Sequence, residues 1–313
     1  MNVKSNNTNW LINNKLNLPE SSLQRIPELL SLADLTRVKS ASPLNSGFHV
    51  GAVAIYQTSN GEGLARGSNS ERGGGRDQAI DDAIHAEDGT ISNMLDLGGS
   101  GARLKLIAIT TDAPAPATSC GRCRGAVETY SESEETVIVS GGTTGDVEMW
   151  TIAELLPIKF SLSVNVSDLS LEDQNLVRAS KAVSFYSFQP FTEKILGKCG
   201  ASIRPTDSDS IHSGCRLDSS AFYGMPAITS AMGTFFMNEE SAKFDTVALY
   251  SKTGIPTGEE RQELYDKCSA LGCEGSAKIL LVSSETDLVQ ITTPRELLPF
   301  PFGAGDIGIR IQR

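Results

Sequence analysis

Apolar and polar positions alternate with period two from Phe48 to Tyr56, and Asn60-Gly61 follows as a hairpin turn signal before a second strand near Gly63–Ser68. The period then lengthens. His85–Leu97 reads as a helix closed by Gly98-Gly99, Leu104–Thr111 as a buried strand, Cys120–Tyr130 as a helix and Thr136–Ser140 as another strand. Further along, helix and strand alternate again at Met225–Phe236, Asp245–Tyr250, Thr257–Leu271 and Ala277–Val282. Strands alternating with helices predict an α/β layer structure. Residues 20–40 read as an N-terminal helical region.

The two halves echo each other. Val147-Glu-Met-Trp-Thr-Ile-Ala-Glu-Leu-Leu-Pro157 is answered by Val289-Gln-Ile-Thr-Thr-Pro-Arg-Glu-Leu-Leu-Pro299, and Gly67-Ser-Asn-Ser-Glu71 more weakly by Gly214-Cys-Arg-Leu-Asp218. Two echoes at nearly the same separation predict a duplicated domain. The expected division is a helical region at 1–40, a first domain at 41–160, a linker with the opening of the next helix at 161–180, and a second domain at 181–313.

Candidate chemistry gathers at two predicted helix starts. His85-Ala86-Glu87 opens one helix and Cys120-Gly121-Arg122-Cys123 the next. A Cys-x-x-Cys at a helix N-terminus puts both sulfurs on one turn, near unpaired N–H groups that favour the thiolate a metal requires. With one histidine the set is Cys₂His, and three protein ligands with an open fourth position describe a catalytic zinc site. Zinc lowers the pKa of its water toward neutrality, and Glu87, two residues past His85, is placed to carry the proton. The other four cysteines, Cys199, Cys215, Cys268 and Cys273, have no nearby histidine and read as small buried hydrophobes.

Charge and composition narrow the partners. With 27 Lys+Arg against 38 Asp+Glu, the net charge of −11 repels polyanions, and 6% aromatic residues give little to stack a nucleic-acid strand on. The longest apolar runs, such as Gly51–Tyr56 and Ile279–Val282, fall far short of the ~20 residues that cross a bilayer. Met1-Asn-Val-Lys-Ser-Asn-Asn lacks the basic-then-apolar order of a secretory signal, so a cytoplasmic location is expected.

The His-x-Glu and Cys-x-x-Cys pattern resembles the zinc-dependent nucleobase deaminases. More narrowly, the chain is similar to cytidine deaminases of the two-domain branch, in which the second copy has lost its metal. Phe48-His-Val-Gly-Ala52 is similar to that family's Phe-x-Val-Gly-Ala strand, Asn69-Ser-Glu71 to its Asn-x-Glu pair, and His85-Ala-Glu87 and Cys120-Gly-Arg-Cys-Arg124 to its metal helices. The resemblance implies a duplicated three-layer α/β/α fold with a mixed sheet in each domain. It implies zinc on His85, Cys120 and Cys123, attack on C4 of cytidine or 2′-deoxycytidine, and Glu87 protonating N3 and then the leaving ammonia. Phe48 would pack on the pyrimidine, Asn69 and Glu71 would hold the ribose hydroxyl, and backbone groups of Ala86 and Ser119 would meet the base edge.

In the second copy, Gly224–Ala231 and Lys252–Thr257 stand where the metal helices would begin, without ligands. The resemblance gives this copy a structural role in a homodimer, with Ala221, Phe222 and Phe160 reaching a partner's active site. Arg124 reads either as a counter-charge to two thiolates or as a solvated helix-face arginine. The chain departs from the family pattern at Ser119, where proline is usual, at Gly125, where glutamine is usual, and in the glycine-rich stretch Arg72–Arg76. These departures leave open a modified cytosine nucleoside or nucleotide as substrate; a zinc-binding family member without activity is the other alternative.

Overall fold

Both faces of the strand Val50–Thr58 are covered, and its pleat sorts the covering. Val53 and Ile55 face Ile26, Leu29, Leu30 and Ala33 of the helix Ile26–Ser40, while Ala52 turns to the helix Ala86–Gly98, whose Thr90 hydroxyl donates to the Ala52 carbonyl. Helix, sheet and helix therefore make three layers. The computed structural model describes residues 9–44, 46–71, 83–157, 163–219, 224–239 and 243–301.

The chain packs as two units, one running to Leu156 and taking in Phe300 and Pro301, the other Pro157–Pro299. In the first, the sheet order is Leu11–Ile12, Asp146–Thr151, Val137–Gly141, Arg103–Thr111, Val50–Thr58 and Gly61–Ser68. Arg103–Thr111 and Val137–Gly141 run parallel, as do Leu11–Ile12 and Asp146–Thr151; the other pairs are antiparallel. In the second, Ser163–Asn165, Leu288–Thr292, Lys278–Ser283, Phe244–Ser251, Gly200–Pro205 and His212–Cys215 repeat that order, with the same parallel pair at the centre. Only the outermost strand differs, pairing antiparallel in the second unit. The fold is thus a mixed-sheet α/β layer structure built twice.

Two stretches set apart in the sequence reading lie inside these units. The helix Ile26–Ser40 is a whole layer of the first unit, because Ile26, Leu29, Leu30 and Ala33 form an apolar stripe under the sheet. The expected linker 161–180 contributes the edge strand Ser163–Asn165 and most of the helix Leu171–Ser184, whose Leu176 and Val177 pack on Ala248, Leu280 and Val282. Phe160, Ala221, Phe222 and the Arg72–Arg76 stretch lie outside the described residues.

Close helix approach explains the weaker of the two echoes. A Cβ on Gly67 would lie 2.3 Å from the Thr90 nitrogen, and one on Gly214 would lie 2.2 Å from the Ala231 nitrogen. In each unit the glycine lets a helix rest on the edge strand. Gly67→Ala is expected to cost about 1–3 kcal/mol through overpacking against backbone that cannot yield. Urea denaturation measures it, and an unchanged midpoint would contradict the packing account.

Candidate active site

His85 and Cys120 hold equivalent places, each the N-cap of its helix in extended backbone conformation. Neither helix start carries a side-chain cap hydrogen bond of the usual oxygen kind. Cys123 sits at the third helical position, fully buried. His85 Nδ1 lies 3.1 Å from Cys123 Sγ and 3.4 Å from Cys120 Sγ, and the three donor atoms all fall within 4.8 Å of one another. Tetrahedral zinc with two thiolates and an imidazole would space its donors by about 3.5 Å. The donor set and its spacing fit zinc.

Electrostatics favour a thiolate at this point. The Cys123 thiol, and then the His85 ring, hold Cys120 well below the usual thiol range, while the same pairing raises Cys123. The bond to Cys120 pushes His85 up to about 9. Glu87 is buried on the first turn of the helix that His85 caps. Burial, and next the neighbouring Cys120, push its carboxyl above the ordinary carboxylate range; His85 and the Ser119 hydroxyl pull the other way. A buried carboxyl raised in this manner suits proton transfer near neutral pH.

Phe48, Asn69, Glu71, Ala86, Glu87 and Ser119, six of the residues named from sequence, line one cavity together with His85 and Cys120. Their detailed bonding differs from a simple sugar clamp. Asn69 Oδ1 accepts from the Val50 N–H at 2.8 Å and its Nδ2 donates to the Phe48 carbonyl at 2.7 Å, so the amide ties down the entry to the strand Val50–Thr58, where Phe48 stands. Glu71 accepts from the Ser46 backbone N–H at 2.9 Å and from the Ser46 hydroxyl. Ser46 also lines the cavity and escaped the sequence reading; its signal is a serine before Gly47, whose φ of +68° makes the turn.

Arg124 is not a solvated helix-face arginine. It is fully buried, its Nε donating to the Ser119 carbonyl at 2.7 Å, Nη1 to the Leu155 carbonyl at 2.9 Å, and Nη2 to Thr118 Oγ1 at 3.0 Å and to the Phe300 carbonyl. It clasps the loop before Cys120 to the Glu-Leu-Leu-Pro turn. The second unit repeats the clasp with no metal-ligand cluster among its described residues: Arg261 Nε donates to the Pro256 carbonyl at 3.2 Å and Nη1 to the Leu297 carbonyl at 3.2 Å. The echo between Pro157 and Pro299 therefore marks the arginine's receptor.

At the metal positions the second unit carries Pro226 as one N-cap and Thr257 as the other. Glu260 takes the place of Cys123, and Thr257 and Glu260 form a capping box. Where one copy leaves its helix start to two sulfurs, the other closes it with hydrogen bonds. Asp218, at the place of Glu71, accepts from the Thr192 N–H at 3.1 Å and hydroxyl at 2.9 Å, as Glu71 does from Ser46. Among the described residues, His85, Cys120 and Cys123 form the one cluster with metal-ligand spacing.

No protein-family model matches the chain, and no curated protein does. Among solved structures it is similar to cytidine deaminase from Burkholderia pseudomallei, at 26% identity and a TM-score of 0.35 over 42% of this chain and 97% of the other. Cytidine deaminase from Mycobacterium leprae is similar at 28% identity and a TM-score of 0.31, over 42% and 95%. That from Mycobacterium tuberculosis follows at 22% and 0.31, over 43% and 96%. No helix among the described residues is long and apolar enough to cross a membrane.

Proposed function

We propose that the first unit is a zinc-dependent hydrolase that converts cytidine and 2′-deoxycytidine, with water, to uridine and 2′-deoxyuridine plus ammonia. The observation that carries this reading is the convergence of His85, Cys120 and Cys123 donor atoms beside a buried Glu87 in one cavity. His85, Cys120 and Cys123 would hold the ion. When bound there, zinc supplies a Lewis acid that brings water's pKa toward neutrality, and so a hydroxide nucleophile.

The chain's own groups do the rest. Glu87 takes the proton released by water and gives it to ring N3, then takes the proton of the new C4 hydroxyl and delivers it to the amino nitrogen, so that ammonia leaves as the C4 carbonyl forms. Phe48 offers an aromatic face to the flat base, and Glu71 with Asn69 marks the sugar end of the cavity. Burial of the acid is the mark of chemistry over scaffolding, because a metal-binding structural site needs ligands and has no use for a desolvated carboxyl.

The reading extends to a homodimer of cytoplasmic chains acting in pyrimidine salvage, in which the metal-free second unit supports a partner's site and Phe160, Ala221 and Phe222 approach the base. Ser119 in place of the usual proline favours one variation, a substrate with an altered cytosine ring or a phosphate. Ammonia release from cytidine, 2′-deoxycytidine, 5-methylcytidine and cytidine monophosphate separates these readings. The expected order places the two plain nucleosides first; turnover confined to the modified ring or the monophosphate would replace them as substrates, and no release from any of the four would overturn the assignment.

A further inference from the structure

We propose that the Ser119 hydroxyl is a direct contact for the exocyclic amino group of the substrate ring and tunes the cavity toward 4-amino pyrimidines. This inference rests on the nucleoside reading above and adds to it a side-chain contact at the reacting carbon.

Ser119 is 3% exposed, and its buried Oγ, which faces the Glu87 carboxyl, accepts no hydrogen bond from the protein. Leaving the acceptor side of a buried hydroxyl unmet is costly, and a ligand N–H in the right place recovers part of that cost. The residue lines the same cavity as Glu87 and Cys120 and precedes Cys120 in the chain, so it stands at the end where the metal donors converge. The carbon attacked there is the carbon that bears the amino group. A hydroxyl both donates and accepts, so it takes an N–H from that nitrogen while its own proton stays available to a neighbouring acceptor.

The loop does not require serine. Pro256 occupies the matching place in the second unit, and its carbonyl receives Arg261 Nε as the Ser119 carbonyl receives Arg124 Nε. The same backbone is thus made with a residue that has no hydroxyl, so the loop does not depend on the Ser119 hydroxyl. Arg124 at 2.7 Å from the Ser119 carbonyl and 3.0 Å from Thr118 Oγ1 fixes the segment that carries it. A hydroxyl on a fixed loop discriminates by what it leaves unpaired when the ligand lacks a partner group.

The test uses the full, zinc-loaded chain carrying Glu87→Gln, so that ligands bind without turnover. Calorimetry compares cytidine with pyrimidin-2-one riboside, which has hydrogen in place of the amino group. Ser119→Ala and Ser119→Pro are expected to weaken cytidine about threefold to tenfold and leave the unsubstituted riboside unchanged. Ser119→Thr, which keeps the hydroxyl, restores cytidine binding, and zinc content and melting temperature stay level across the series. Equal losses for both ligands, or no loss for cytidine, would overturn the contact while the nucleoside reading stands. Failure of both ligands to bind before Ser119 is changed would overturn the nucleoside reading and this contact with it.

Discussion

Replacing Glu87 with glutamine is expected to lower cytidine turnover about a thousandfold while zinc stays bound at its wild-type level. The carboxyl is 5% exposed and lines the cavity beside His85 and Cys120, so on this account the proton it carries is shielded from bulk water. Glutamine keeps the shape and removes the exchangeable proton. Loss of the ionisable group also relieves a desolvation cost, so the melting temperature is expected to hold or rise. Ammonia release and metal content, measured on one sample, check both halves. A variant that turns over at the wild-type rate would remove Glu87 from the proton path, and one that loses its zinc would make the carboxyl a support for the metal.

Arg124→Ala is expected to cost about 3–5 kcal/mol of stability in the unit that contains it. The change leaves the carbonyls of Ser119, Leu155 and Phe300 without their donor and opens a void where a fully buried side chain stood. Arg261→Ala gives the matching experiment where there are no thiolates, since Arg261 holds Pro256 and Leu297 by the same two bonds. A clasp predicts comparable losses at both positions. A counter-charge to the sulfurs predicts a loss at Arg124 with little at Arg261, and denaturation followed in both variants tells them apart. Lysine at either position recovers only part of the loss, because a single ammonium cannot meet acceptors on several sides of a planar fork.

The parts of the site legible in sequence are those set by short-range spacing. His85, Glu87, Cys120 and Cys123 sit within one turn of two helix starts, and a helix start is readable from its own few residues. The duplication was legible for the same reason, since Glu-Leu-Leu-Pro and the Gly67 and Gly214 segments keep their local order.

What stayed hidden depends on partners far along the chain. Arg124 is a buried clasp because Leu155 and Phe300 come to it, and nothing adjacent to it in sequence announces that. Asn69 reads as a sugar ligand by its motif, yet its amide first secures Phe48 and Val50 across the sheet. The stretch 161–180 reads as a linker with the opening of a helix, and what it hides is an edge strand only three residues long, Ser163–Asn165. The lack of metal-ligand side chains at the matching places of the second unit is evident from sequence. The Thr257–Glu260 capping box that stands on the Cys120–Cys123 positions emerges when the two helix starts are compared in space.

The central claim is that one of the two copies binds zinc and works through it. The most direct measurement strips the full chain of metal with a chelator, returns zinc in steps, and follows bound zinc and ammonia release from cytidine together. The account predicts that activity rises in proportion to bound metal and saturates at one zinc per chain, on His85, Cys120 and Cys123. Deamination by the stripped chain, saturation at two zinc ions, or full loading without ammonia release would contradict it.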